Sequence, residues 1–100
     1  MAITDIYYNS ATSTPIVIQE NTINLASKTV SAVIQTLDGL TSTAVLTARF
    51  TVTQIGIPSI FTWDPAGLAL TRGIYRVQFA YLNASNEIDK TSDWVMLLVR

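Results

Sequence analysis

Three groups of side chains in this sequence have the types and spacings that chemistry would need. The first is a carboxylate group. Glu87 and Asp89 lie two apart and Asp93 follows four residues later, near the amides of Asn83 and Asn86. Residues two apart on a strand share a face, and such a set of oxygens would suit a hard cation such as Ca²⁺. The spacing matches no calcium-binding loop, so a solvated turn between two strands is the simpler expectation. Asp5, Glu20, Asp38 and Asp64 are scattered. The second group is hydroxyl. Serine and threonine are plentiful, but a nucleophile needs a base held beside it. The chain has no histidine, which leaves Lys28 and Lys90 for that role. Neither a Ser-x-x-Lys pattern nor a Gly-x-Ser-x-Gly elbow occurs. Gly39, Gly56, Gly67 and Gly73 are isolated, so no glycine loop cradles a phosphate. The third group is aromatic. Tyr7, Tyr8, Trp63, Tyr75, Tyr81 and Trp94 have the surfaces that stack on sugar rings or anchor a protein contact. Trp63, Tyr75, Phe79 and Trp94 fall on regular strand positions and are expected in the core. Tyr7 and Tyr8 are adjacent, so on a strand they point to opposite faces. One of them is expected in a partner contact.

The elements that must position these residues are strands. β-branched residues dominate, which favours strand over helix, and alternation by twos recurs along the chain. From Ala44 to Thr53, Leu46, Ala48, Phe50 and Val52 alternate with Thr47, Arg49, Thr51 and Thr53. From Gly73 to Leu82, Tyr75, Val77, Phe79 and Tyr81 share one face, and Arg76, Gln78 and Ala80 share the other. Trp94 to Val99 is apolar on both faces, as for a central strand or one covered by a neighbouring subunit. Val95 and Leu97 are the contact positions expected there. Shorter strands are expected at Ile3–Tyr8, Ile16–Gln19, Thr29–Leu37 and Ser59–Trp63. Asp38-Gly39 is a turn signal, and Leu40–Thr43 lengthens that connection beyond a tight hairpin. Asn83-Ala84-Ser85-Asn86 reads as another turn. It also matches a glycosylation acceptor, without a signal sequence to bring that into play. Asp64 to Ala69 has room for a single helical turn, with Asp64 as cap and Pro65 at the first position. Seven or eight short strands with turns about every ten residues predict an all-β sandwich or barrel.

Bulk composition excludes several classes. At 100 residues the chain fits one domain, 1–100, with no linker or repeat. Apolar residues make up 49% and charged residues 13%, which argues against disorder. Six basic and seven acidic residues leave a net charge of −1 with no basic run, so nucleic acid is not an expected partner. With neither cysteine nor histidine, the common metal ligands and the usual general base are missing. The expectation is a protein that is no enzyme, holds no cofactor or metal, and has no small-molecule substrate. No run approaches the roughly 18 apolar residues that span a bilayer, and Met1 to Asp5 carries no signal-peptide pattern. Synthesis in a cytoplasm, without secretion or a membrane, is expected.

Gly73-Ile74-Tyr75 places a glycine just ahead of a strand-leading tyrosine, the spacing of the tyrosine corner in immunoglobulin-like domains. That resemblance implies that the Tyr75 phenol bonds back to the preceding turn. A wider pattern runs through the last forty residues: Phe61-Thr62-Trp63-Asp64-Pro65, then Gly73-Ile74-Tyr75-Arg76-Val77-Gln78-Phe79, a polar turn, and Trp94 before a closing apolar strand. This order resembles the N-terminal immunoglobulin-like domain of phage upper-baseplate proteins and related tail or head accessory proteins. The resemblance implies an immunoglobulin-like antiparallel β-sandwich of about seven to eight strands. It implies a structural or adaptor part in a virion, made in the host cytoplasm, whose partners are other virion proteins and copies of itself. In that family further segments follow the domain, whereas this sequence ends after the final strand. Tail, neck, baseplate and capsid-decoration positions are all left open. The alternative expectation is a carbohydrate- or receptor-binding β-sandwich module.

Overall fold

The computed structural model describes residues 5–9, 14–66, 68 and 70–100. Its strands are β1 (Ile6–Tyr8), β2 (Ile16–Glu20), β3 (Thr29–Thr36), β4 (Ser42–Val45), β5 (Phe50–Gln54), β6 (Ser59–Trp63), β7 (Gly73–Leu82), β8 (Ile88–Thr91) and β9 (Val95–Val99). They form a six-stranded sheet, in the order β1-β9-β7-β3-β4 with β8 also paired to β7, and a three-stranded sheet in the order β2-β6-β5. Every pairing is antiparallel except that of β1 with β9, where Ile6 lies opposite Leu97 and Tyr8 opposite Val99. The larger sheet is therefore mixed, not purely antiparallel as expected.

The two sheets meet across one core, and alternation in β7 supplies its centre. Val77, Phe79 and Tyr81 are fully buried, while Ile74, Arg76 and Gln78 face the other way, as the period predicts. Phe79 meets Phe61 of β6 with ring centroids 5.2 Å apart and edge-to-face, and meets Trp63 at 6.0 Å. Phe50 of β5 closes the cluster against Trp63 at 5.7 Å. The two edge-to-face pairs of Phe79 each add about 0.5–1.5 kcal/mol beyond area burial.

The stretch from Ala44 to Thr53 departs from its expected single strand. A 3₁₀ turn over Thr47–Arg49 interrupts it, closed by the Arg49 N–H donating to the Leu46 carbonyl at 3.1 Å. There the chain leaves the larger sheet and enters the smaller one. The inward side chain before the turn is Val45, and Leu46 is 72% exposed. After the turn Phe50 and Val52 pack against the core. The period of two continues through the turn in sequence, but not in space.

Local bonds set the other connections. Asp38 accepts from the Thr36 hydroxyl at 2.5 Å and the Leu40 N–H at 2.9 Å, and Gly39 sits at φ +75°, where a side chain is strained. The connection from β3 to β4 is thus longer than a tight hairpin, as expected. The Asn83 side chain accepts from the N–H groups of Ser85 and Glu87 and shapes the β7–β8 turn. Asp64 accepts from the Ala66 N–H at 3.0 Å and the Leu68 N–H reaches the Pro65 carbonyl, so a single turn starts there. Gly67 and Ala69 lie outside the described residues, as do Ile3 and Thr4 of the expected first strand. The Tyr75 hydroxyl donates to the Thr71 carbonyl at 2.9 Å. This is the back-bond that the Gly73-Ile74-Tyr75 spacing predicts.

Candidate interaction surface

The outward face of the six-stranded sheet is built in cross-strand rows. In the first row, Tyr7 of β1 lies opposite Leu98 of β9, which lies opposite Ile74 of β7. In the second, Met96 lies opposite Arg76, which lies opposite Gln35 of β3. In the third, Gln78 lies opposite Val33, and Val33 opposite Ala44 of β4. Trp94 immediately precedes β9 on the same side. Tyr7, Val33, Ile74, Trp94 and Met96 are all exposed. Within β1, β3, β4, β7 and β9 the one charged residue is Arg76. Its guanidinium lies over the Trp94 ring, 4.6 Å from the centroid, and gives two hydrogen bonds to Gln35 Oε1 at 3.0 and 2.6 Å. The charge is thus held between an indole and an amide. At the other end, Arg100 lies 5.6 Å from the centre of the Tyr7 ring.

The four sequence-predicted contact residues divide. Tyr7 faces outward at 60% exposed and Tyr8 is buried, the opposition expected of adjacent strand residues. Val95 and Leu97 both point into the core, with Leu97 fully buried. They are corrected as contact positions. Register is the reason: Val95 lies opposite Val77 and Leu97 opposite Tyr75, all inward residues, so β9 presents Met96 and Leu98 instead. Trp94 is a second correction. Expected in the core, it is 39% exposed under the Arg76 guanidinium.

The carboxylates do not assemble. Asp89 forms an ion pair with Lys28 across the sheet, and this hydrogen bond and charge hold Asp89 below the usual carboxylate range. Among the described residues no three acidic, histidine or cysteine side chains gather as a metal site. A buried polar pair was not foreseen. Glu20 is fully buried, accepting from the Tyr81 hydroxyl at 2.6 Å and from the Thr22 N–H and hydroxyl at 3.0 and 2.8 Å. Burial, then the Glu20 bond and charge, push the Tyr81 phenol well above its ordinary value. It remains a donor. The signal was position: Ile16, Ile18 and Glu20 share one face of β2.

No protein-family model matches the chain, and a search of curated proteins finds no match. The argument for function therefore stands on the surface itself. A face with exposed apolar and aromatic side chains around one shielded arginine is suited to protein contact. It brings no nucleophile and base together.

Proposed function

We propose that this chain is an immunoglobulin-like β-sandwich acting as a structural or adaptor component of a phage virion, through protein–protein contact and without catalysis. Two observations support the immunoglobulin-like reading. The sheet orders β9-β7-β3-β4 and β2-β6-β5 match the G-F-C-C′ and B-E-D arrangement of that fold, and the Tyr75 back-bond matches its tyrosine corner. The virion assignment rests on the Phe61–Pro65 and Gly73–Phe79 resemblance. The observation that carries the contact role is the outward sheet face, where Tyr7, Ile74, Trp94 and Met96 stand exposed around a shielded Arg76. Binding there draws on buried area and not on chemistry. The partners are other virion proteins and further copies of the chain.

The test is solution mass by size-exclusion chromatography with light scattering over a wide concentration range, for the wild type and for Met96→Glu. A defined oligomer that the variant dissolves, with its fold intact, places the contact on this face. A wild type that stays monomeric throughout removes self-association. A positive glycan array would then move the reading to the carbohydrate-binding alternative.

A further inference from the structure

The charge on the outward sheet face is shielded but not neutralised. Arg76 is half-buried on β7. The ion pairs among the described residues are Lys28–Asp89 and Arg49–Asp64, so Arg76 has no carboxylate there. A guanidinium has five N–H donors and no acceptor. Nε and Nη2 each give one to Gln35 Oε1, at 3.0 and 2.6 Å, and the Trp94 ring lies against one face, 4.6 Å from Cζ. The two donors on Nη1 bond to nothing among the described residues. Among those residues the buried polar side-chain atom that lacks a partner is Trp63 Nε1, so Arg76 Nη1 is open to solvent.

Stacking and the bonds to Gln35 hold this cation in place before any partner arrives. Its surroundings are apolar: Met96 lies opposite it across β9, and Ile74, Trp94 and Met96 are all exposed. A partner that covers these groups takes the guanidinium out of water with them. A charge so buried is costly unless an opposite charge pairs with it, and the chain supplies none there. The missing group is therefore an anion. A planar carboxylate matches a planar guanidinium through two parallel hydrogen bonds. A nucleic acid, with its row of phosphates, calls for several cations, and Arg76 is the one charged residue within β1, β3, β4, β7 and β9.

We propose that the protein surface bound by this face presents a carboxylate, an Asp or Glu side chain ringed by apolar groups, which pairs with Arg76 beside Trp94. The inference rests on the contact role proposed for this face and adds the chemistry that selects the partner. Apolar area supplies attraction, and Arg76 supplies discrimination. An apolar surface without the carboxylate leaves the cation buried and unpaired.

The test is selection, on the full chain, from a display library of a small folded scaffold with a randomised flat surface, followed by ¹H–¹⁵N NMR of the chain with each binder. The chain has two tryptophans, so Trp94→Phe assigns the Trp94 indole signal, and binders that move this signal are those that reach the face. The expected result is that they share a carboxylate with apolar neighbours. Arg76→Gln retains the folded spectrum and weakens their binding by about tenfold or more. Exchanging the binder's carboxylate for its amide weakens binding to the wild type as much, and the two changes together cost no more than either alone. This exchange on the binder reads the pair even where an Arg76 variant fails to fold. Arg49→Gln, in the 3₁₀ turn after β4, binds as the wild type does. Face binders without a carboxylate, or equal binding by the amide form, would overturn the pairing and leave the contact role standing. A library that yields no binder moving the Trp94 signal would overturn both.

Discussion

The two faces of β9 are both apolar and opposite in fate, whereas its partner β7 sets Arg76 and Gln78 among its outward residues. Inward, Val77, Phe79, Tyr81 and Leu97 have no exposed surface, while outward Ile74 and Met96 remain open to solvent. Apolarity alone did not decide which set was buried. The second sheet did, by supplying Phe61 and Trp63 on one side only. One face was satisfied by folding, and the other keeps its hydrophobic driving force for association.

The sharpest way to break that comparison is to truncate matched positions on β9. Leu97→Ala should cost about 2–5 kcal/mol, as for a large side chain removed from a packed core. Met96→Ala should stay within about 0.5 kcal/mol, as for a surface change. Urea unfolding of the two variants measures both. Equal costs would mean that the outer face is also covered in the purified protein, by self-association.

The faces were only partly legible beforehand. In β7 the period of two runs for ten residues without a breaker, so inward and outward sets separate in the sequence itself. In the closing strand every residue is apolar, and parity is then set by pairing of Val95 with Val77, a long-range fact that the run does not encode. That is why Val95 and Leu97 exchanged places with Met96 and Leu98. From Leu46 to Val52 the pattern was present but a 3₁₀ turn divided it between sheets. Glu20 was legible only to a reader who set its parity with Ile16 and Ile18 above its charge. The Arg76 site joins Trp94 to Gln35, residues far apart in the chain, and no local spacing announces it.

Two tyrosines on the inward face of β7 give the next contrast. Tyr81→Phe leaves a buried Glu20 oxygen without its 2.6 Å donor, so a loss of about 1–3 kcal/mol is expected. Tyr75→Phe removes the bond to Thr71 at a half-buried site, where about 1 kcal/mol or less is expected. Thermal unfolding of both variants orders them. A larger loss for Tyr75 would make the corner, and not the buried carboxylate, the chief polar brace of this strand.

The smallest effect belongs to β8, which among the described residues pairs only with β7. Asp89 on β8 pairs with Lys28, and the folded state holds its carboxyl below its ordinary value of 3.8. A lowered folded value means that the unfolded chain takes up the proton first as pH falls. The stabilisation is therefore fully present well above 3.8, declines as pH drops below that value, and is gone once the folded carboxyl is protonated. An exposed pair of this kind is also weakened by salt. Asp89→Asn should thus unfold slightly more easily than the wild type at neutral pH and low salt. The difference should close on acidification or in high salt, as followed by urea titration. A gap that persists at low pH would mean that Asp89 acts through packing and not through its charge.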